Sequence, residues 1–498
     1  MGCYYLGIDQ GTTFTTAALV DENWNILAKS AKEHRQIFPA PGWVEHDPVE
    51  VYESVLHVTA SVLESAHIKA TDLIAVGLDH QGETCLIWDK KTGKPVYNAI
   101  VWQDRRTADY SEALKVKHGE KILNITGMIP DSYHSATKLK WIIDNADGVK
   151  KCLENGDLLA GTLNTWLIWK LTGGESFVTD ACSGGRLMLM DSRITQWDPW
   201  LLSLIGIPET LLPPILDCNS IFGYTCPDMF LGVSIPIAGC LTDSNAATVG
   251  GGGTAVGTLT TSYGTGSFMS LTTGENFIVS KRGLMSCCCW QLSGKRFYKI
   301  LGASFVAGSA MQWLRDGLRI LDDVAESEAM ANSVSDTNGV YFVPAFAGLA
   351  TPYWDQYARG AFMGLTSGVT REHIVRSVLE SIAFQTLDCL KVMRLEYGKE
   401  VPMMHADGGM IDNKFFMQFL ADVLGIPVEI PAEKETAAFG SACMAGLTTG
   451  ALRQLSDVNP FVRIRGAYEP RMSQDEREER FAVWHRAVER SCDWILHE

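Results

Sequence analysis

Short apolar runs that stop abruptly at polar, glycine-bearing clusters recur along this chain, and they constrain its fold more than any other feature. Tyr4-Tyr5-Leu6-Gly7-Ile8 stops at Asp9, and residues 73–78 stop at Asp79-His80-Gln81-Gly82-Glu83. Residues 235–239 lead to Asp243, and residues 403–406 stop at Asp407-Gly408-Gly409. Apolar runs this short read as buried strands. Open α/β sheets bind ligands at the carboxyl ends of such strands. Helical periodicity fills the intervals over residues 49–67, 373–397 and 413–424. The alternation predicts α/β architecture.

Composition narrows the partners. With 498 residues the chain has room for two to four domains. Its formal net charge of −16 repels phosphate backbones and anionic lipid, which excludes nucleic acid and membrane surfaces as partners. A small anion such as a nucleotide stays admissible, since backbone N–H groups and a metal ion bind it whatever the net charge. The 13 cysteines include no Cys-x-x-Cys pair, and Cys287-Cys288-Cys289 is too crowded for ordinary disulfide geometry. Reduced thiols in a cytoplasmic protein are expected, most of them acting as small buried apolar residues. Asp9 and Gln10 interrupt the first apolar run too early for a signal peptide, and Leu6 stands where a myristoylation signal at Gly2 wants Ser or Thr. The long uncharged stretch at 244–274 is too rich in Gly, Thr and Ser to span a membrane.

Near mid-chain, Gly250-Gly251-Gly252-Gly253 lacks the lysine and helix start of a Walker loop and is expected to be a flexible crossover between residues 1–249 and 250–498. An internal echo supports that division. Gly7-Ile8-Asp9-Gln10-Gly11-Thr12-Thr13 near the start of the first half is matched by Ser262-Tyr263-Gly264-Thr265-Gly266-Ser267-Phe268 at the start of the second. Each reads as strand, tight Gly/Thr turn, strand. One such hairpin is an ordinary turn; two facing each other would clamp a phosphate chain between domains.

Phosphoryl transfer to a hydroxyl needs phosphate donors, Mg²⁺, a carboxylate base and enforced in-line geometry. The hairpins supply donors, Asp9 is a candidate for hydrated Mg²⁺, and Asp243 faces the same crevice if the halves close. A lone Asp at a strand end is usually a helix cap; its company promotes Asp243.

From here the chain resembles the FGGY family of carbohydrate kinases, and within it the glycerol kinases. Matching motifs run in order along nearly the whole chain. They include Pro41-Gly42-Trp43-Val44-Glu45-His46-Asp47-Pro48, Asn98-Ala99-Ile100-Val101-Trp102-Gln103 and Thr137-Lys138-Leu139-Lys140-Trp141, then Tyr263-Gly264-Thr265-Gly266, Gln312-Trp313-Leu314-Arg315-Asp316 and Pro352-Tyr353-Trp354-Asp355. The resemblance implies two ribonuclease-H-like (actin/hexokinase-type) domains with the active site in the cleft between them. It implies ATP and Mg²⁺, with Asp243 as general base and Asp9 and Asp243 as the metal-associated carboxylates. Thr12, Thr13, Gly264 and Thr265 match phosphate-binding positions, and Gly308, Gln312, Gly409 and Asn413 match positions around the adenosine. Glu83, Trp102, Tyr133, Phe268 and Asp243 match the substrate pocket. The chemistry agrees: carboxylates accept hydroxyl protons, the phenol adds a hydrogen-bonding group, and aromatic faces pack against carbon.

The departures bear on substrate and control. Glycerol kinases carry Arg-Glu where this chain has Gly82-Glu83, and Asp-Gln where it has Asp243-Ser244. Thr16 replaces an arginine near the nucleotide phosphates. Gly232-Val233-Ser234 stands where bacterial relatives present Gly-Thr-Arg to an allosteric sugar bisphosphate, so fructose bisphosphate is expected not to inhibit. The resulting expectation is an ATP-dependent kinase for a primary hydroxyl of a small polyol or sugar, with a preference for four- or five-carbon substrates in the space Gly82 vacates. The alternatives are a strict glycerol kinase whose missing arginine is replaced from elsewhere, a metabolite-sensing pseudokinase, and a nucleotide-switched protein on the same fold. The resemblance leaves a homodimer open.

Overall fold

The computed structural model describes residues 2–346 and 348–495. The first apolar runs form an antiparallel ribbon of β1 (Tyr4–Gln10), β2 (Phe14–Val20) and β3 (Ile26–Glu33). β3 alternates half-buried and exposed positions along its length, as an edge strand must. Asp47 caps the helix that follows, α1 (Pro48–Ala66), accepting from the Val49 N–H at 2.9 Å, and Pro48 takes the first helical position, where no N–H is needed. The chain then supplies β4 (Leu73–His80), β5 (Ile221–Tyr224) and β6 (Pro236–Thr242). The six strands lie in the order β5-β6-β4-β1-β2-β3, with β4 parallel to both β1 and β6. A short helix, α2 (Ala181–Arg186), lies between β4 and β5 in the chain, and α3 (Asp243–Gly250) leaves directly from β6.

The second half repeats this plan. β7 (Leu259–Tyr263), β8 (Ser267–Gly274), β9 (Met285–Leu292) and β10 (Lys295–Ser304) form an antiparallel group; β11 (Met404–Asp407), β12 (Val428–Pro431) and β13 (Ile464–Tyr468) complete a sheet ordered β9-β10-β8-β7-β11-β12-β13. Here too a hairpin's first strand, β7, runs parallel to the next strand inward, and an antiparallel strand closes the far edge. Four further helices matter to the site: α4 (Gly308–Asp316), the 27-residue α5 (Arg371–Tyr397), α6 (Lys414–Leu424) and α7 (Thr436–Thr449). The echo of the two Gly/Thr hairpins therefore marks a duplicated two-domain α/β fold, as expected.

Each sheet carries its own apolar core, and a third cluster joins the halves, with Tyr5, Ala75 and Leu241 from the first meeting Cys288, Trp290, Phe439 and Met444 from the second. Helix α7 is the joint: it packs on β1, β4, β6 and α3. Its backbone comes so close that a Cβ on Gly77 would sit 1.9 Å from the Ser441 carbonyl oxygen. The same crowding corrects one expectation. Gly250 is the end of α3, and a Cβ there would meet the Thr436 carbonyl oxygen at 2.0 Å; Gly251, Gly252 and Gly253 continue in hydrogen-bonded turns. This glycine serves close helix packing, and the run is no loose tether. All 13 cysteines are free, with Cys287, Cys288 and Cys289 buried in β9. Among the described residues no helix is long and apolar enough to cross a membrane.

Candidate active site

At the carboxyl end of β1, the first hairpin is held from behind. Gln81 Nε2 donates to the Gly11 carbonyl at 3.2 Å, Gln36 Nε2 to the Thr12 carbonyl at 2.8 Å, and the His34 N–H to the Thr13 carbonyl at 3.2 Å. With its carbonyls bound, the turn is left to present N–H groups and the Thr12 and Thr13 hydroxyls. Beneath it, register pairs Asp9 on β1 with Asp79 on β4, which puts both carboxyls on one face of the sheet. Burial, with the charges of Asp243 and Glu435, pushes Asp9 up to about 7, against a hydrogen bond with Asp79 that holds it down. Burial and the Asp9 charge hold Asp79 well above the ordinary carboxylate range. The buried Oδ1 of each carboxyl meets no N–H or hydroxyl donor. Two under-satisfied carboxylates of this kind fit a divalent cation. Asp243 reaches Asp9 through its charge, whereas Asp79, absent from the expected site, meets it directly.

The second hairpin is seated on α4. The Ala307 and Ser309 N–H groups donate to the Thr265 carbonyl at 2.8 and 3.1 Å, and the Gly308 N–H to the Gly264 carbonyl at 2.9 Å. A cleft of about 640 Å³ opens beside it. The structure brings Gly264, Thr265, Gly308, Gln312, Gly409 and Asn413 to its walls. Asn413 also caps α6, its Oδ1 accepting from the Phe416 N–H at 2.9 Å.

Trp102 ties the first hairpin to the opposite end of the site. Its Nε1 donates to Thr12 Oγ1 at 2.8 Å, and its ring meets Tyr133 and Phe268 edge-on at 5.8 and 6.3 Å between centroids. Phe268 comes from β8, so this aromatic group spans both halves. Asp243 opens α3; burial raises its carboxyl, while the Ser244 N–H and the Arg186 and Lys299 charges pull it back. Burial likewise raises Glu83, against Arg186, Lys138 and a hydrogen bond with Tyr133.

The pocket differs from expectation at Gly82. The space beside it is open: a Cβ there would meet nothing within 4 Å, and its φ of +66° is a left-handed conformation that suits glycine. The charge, however, is not missing. Arg186, at the end of α2 and 4% exposed, donates to Glu83 Oε1 at 3.2 Å and to Ser244 Oγ at 3.3 Å. A guanidinium from elsewhere thus stands against Glu83. Lys299 on β10 also reaches Ser244 Oγ, at 3.4 Å. Neither cation was among the expected site residues. Thr16 is buried in β2 opposite Asp9, and Ser234 is exposed.

The family model described as the N-terminal domain of the FGGY family of carbohydrate kinases matches residues 4–250, and its C-terminal counterpart matches 259–449. The chain is 48% identical over 99% of both chains to glycerol kinase 2 of Thermotoga maritima, and 46% identical, again over 99% of both, to a glycerol kinase of Caldanaerobacter subterraneus. Among solved structures it is similar to Plasmodium falciparum glycerol kinase with ADP, at a TM-score of 0.92 and 34% identity, covering 100% of this chain and 99% of that one. A xylulose kinase from Lactobacillus acidophilus shares the fold at a TM-score of 0.87 and 20% identity, over 98% of both chains.

Proposed function

The chain belongs to the FGGY family of carbohydrate kinases and is an ATP-dependent kinase acting on an alcohol group of a polyol or sugar; from that premise we propose how its residues divide the work. Asp243 is the general base. Its carboxyl opens α3 at the end of β6, the strand paired with β4 and its Asp79, within electrostatic reach of both Asp9 and Arg186, and this junction of the phosphate and substrate ends is the observation that carries the assignment. The substrate hydroxyl gives its proton to Asp243 as its oxygen bonds to the γ-phosphorus. The bond from that phosphorus to the bridging oxygen breaks, leaving ADP and a phosphate ester. Asp9 and Asp79 would hold Mg²⁺, which when bound neutralises phosphate charge. Thr12, Thr13, Gly264 and Thr265 donate to the phosphates. Gly308, Gln312, Gly409 and Asn413 form the adenosine wall.

Glu83 and Tyr133 bind substrate hydroxyls, and the faces of Trp102 and Phe268 cover its carbons. Because Arg186 restores a guanidinium, glycerol keeps its charged partner, and the open space beside Gly82 admits one or two further carbons. Residues 1–249 and 250–498 form the two halves, and the enzyme works in the cytoplasm. The test is ADP release from MgATP with glycerol, erythritol, threitol, xylitol, arabitol, dihydroxyacetone, xylulose and ribulose. Turnover that depends on one of these supports the reading; nucleotide binding with no such turnover overturns it in favour of a sensor.

A further inference from the structure

Two buried cations converge on one hydroxyl. Lys299 has no exposed surface, and its Nζ donates to Ser244 Oγ at 3.4 Å. Among the described residues no carboxylate forms an ion pair with it, although a buried ammonium costs several kcal/mol when unpaired. Arg186 donates to the same oxygen at 3.3 Å, and its buried Nε has no partner. The side chains around Ser244 are therefore oversupplied with donors.

A serine hydroxyl has two lone pairs and one proton. With both lone pairs facing cationic donors, Ser244 has only its proton left to offer, and Ser244 is exposed next to Asp243. A glutamine at this position, as in the glycerol kinases, would offer both a donor and an acceptor. A substrate hydroxyl meeting Ser244 can accept its proton, but must then find an acceptor for its own proton where Arg186 and Lys299 only donate and the two nearby carboxylates are engaged, Glu83 with Arg186 and Asp243 with the reacting hydroxyl. A carbonyl or carboxylate oxygen has no proton to place. We propose that Arg186, Lys299 and Ser244 form an acceptor-selecting subsite, so that the favoured substrate presents an sp² oxygen, ketone or carboxylate, at the carbon facing Ser244. Lys299 is its specificity-determining positioning residue. The proposal rests on the kinase reading above.

The test compares kcat/KM with MgATP across matched compounds differing in oxidation level: glycerol, dihydroxyacetone and glycerate; erythritol, erythrulose and erythronate. The wild-type enzyme is expected to favour an sp² member over its reduced partner by about tenfold or more, the worth of one charge-supported hydrogen bond. The ketone and carboxylate arms tell the two sources of that oxygen apart. Lys299→Met keeps the length and drops the charge, and Ser244→Gln restores an acceptor; each should bring the ratio back toward one. Equal or better use of the reduced polyols by wild type overturns the proposal while leaving the kinase reading intact, whatever the folding of the variants. An unchanged ratio in Lys299→Met overturns the role of Lys299. Failure to phosphorylate any compound in this set and in the polyol panel would sink both.

Discussion

Asp9 and Asp79 are register partners on adjacent parallel strands, and the Ser441 hydroxyl closes the pair by donating to Asp79 Oδ2 at 2.5 Å. The serine comes from α7, so a helix late in the chain completes a carboxylate pair built by the first sheet. Fitting it requires bare backbone at Gly77, where α7 lies against β4.

The pair sets a pH dependence. A carboxyl whose folded value lies above its unfolded one binds its proton more tightly when folded. The stability this gives is full below the unfolded value, about 4, and drains as pH rises through the folded value, about 7 for Asp9. Metal-free protein should therefore lose this contribution between about pH 4 and pH 7, and Mg²⁺ should raise Tm more at pH 8 than at pH 5. Asp79→Asn keeps an acceptor for Ser441 and removes one charge. It should raise the metal-free Tm at pH 8 and shrink the Mg²⁺ effect, as read by thermal unfolding with and without MgCl₂. An Mg²⁺ effect untouched by the substitution would remove Asp79 from the metal site.

Asp243→Asn should lower kcat by about 10²–10⁴-fold, the usual worth of a positioned base, with fold and nucleotide affinity near wild type. Because burial raises the Asp243 carboxyl, the acid limb of the wild-type kcat/KM profile should fall above the ordinary carboxylate range. Activity is lost as pH falls and the base is protonated. A variant that keeps a tenth of wild-type turnover would mean that another group takes the proton.

Much of this site was legible in the chain because its parts are local. Asp9, Asp79 and Asp243 each terminate an apolar run, and the Gly/Thr turns announce themselves by composition. The strands run slightly further than expected: β1 and β4 include Asp9, Gln10, Asp79 and His80, because the parallel ladder between them continues to their ends. Arg186 and Lys299 escaped notice for the opposite reason. Arg186 meets Glu83 across 103 positions of sequence, and Lys299 meets Ser244 across 55. The only local sign of Lys299 was a lysine inside the strand Tyr298-Lys299-Ile300-Leu301. The glycines at 250–253 misled because close backbone packing and flexibility select the same residue.

Trp102 couples the two ends of the site, and Trp102→Phe isolates the coupling. The substitution keeps an aromatic ring against Tyr133 and Phe268 but removes the Nε1 donor to Thr12. One neutral hydrogen bond is worth about 0.5–1.5 kcal/mol, so kcat/KM should fall about three- to tenfold. Since Thr12 lies on the phosphate hairpin, the KM for ATP should rise together with that for the polyol. A change confined to the polyol would reduce Trp102 to a pocket wall.

Gly82→Arg tests whether the open space is substrate space. A non-glycine residue at φ +66° costs on the order of 1–2 kcal/mol, so some loss of Tm is expected. The new side chain would fill the room beside Glu83 and should lower kcat/KM for four- and five-carbon substrates by about tenfold or more, with glycerol affected less. It should not by itself improve glycerol use, because Arg186 already holds Glu83. Removing Arg186 alone strands a buried carboxylate, a loss of about 3–5 kcal/mol. In Gly82→Arg with Arg186→Met the new guanidinium can take over Glu83, so the double variant should be more stable than Arg186→Met and should shift preference toward glycerol. That non-additivity is measurable as a double-mutant cycle in both Tm and kcat/KM. If the two substitutions simply add, the two arginine positions do not share Glu83; if Gly82→Arg leaves the longer substrates untouched, they bind elsewhere in the cleft.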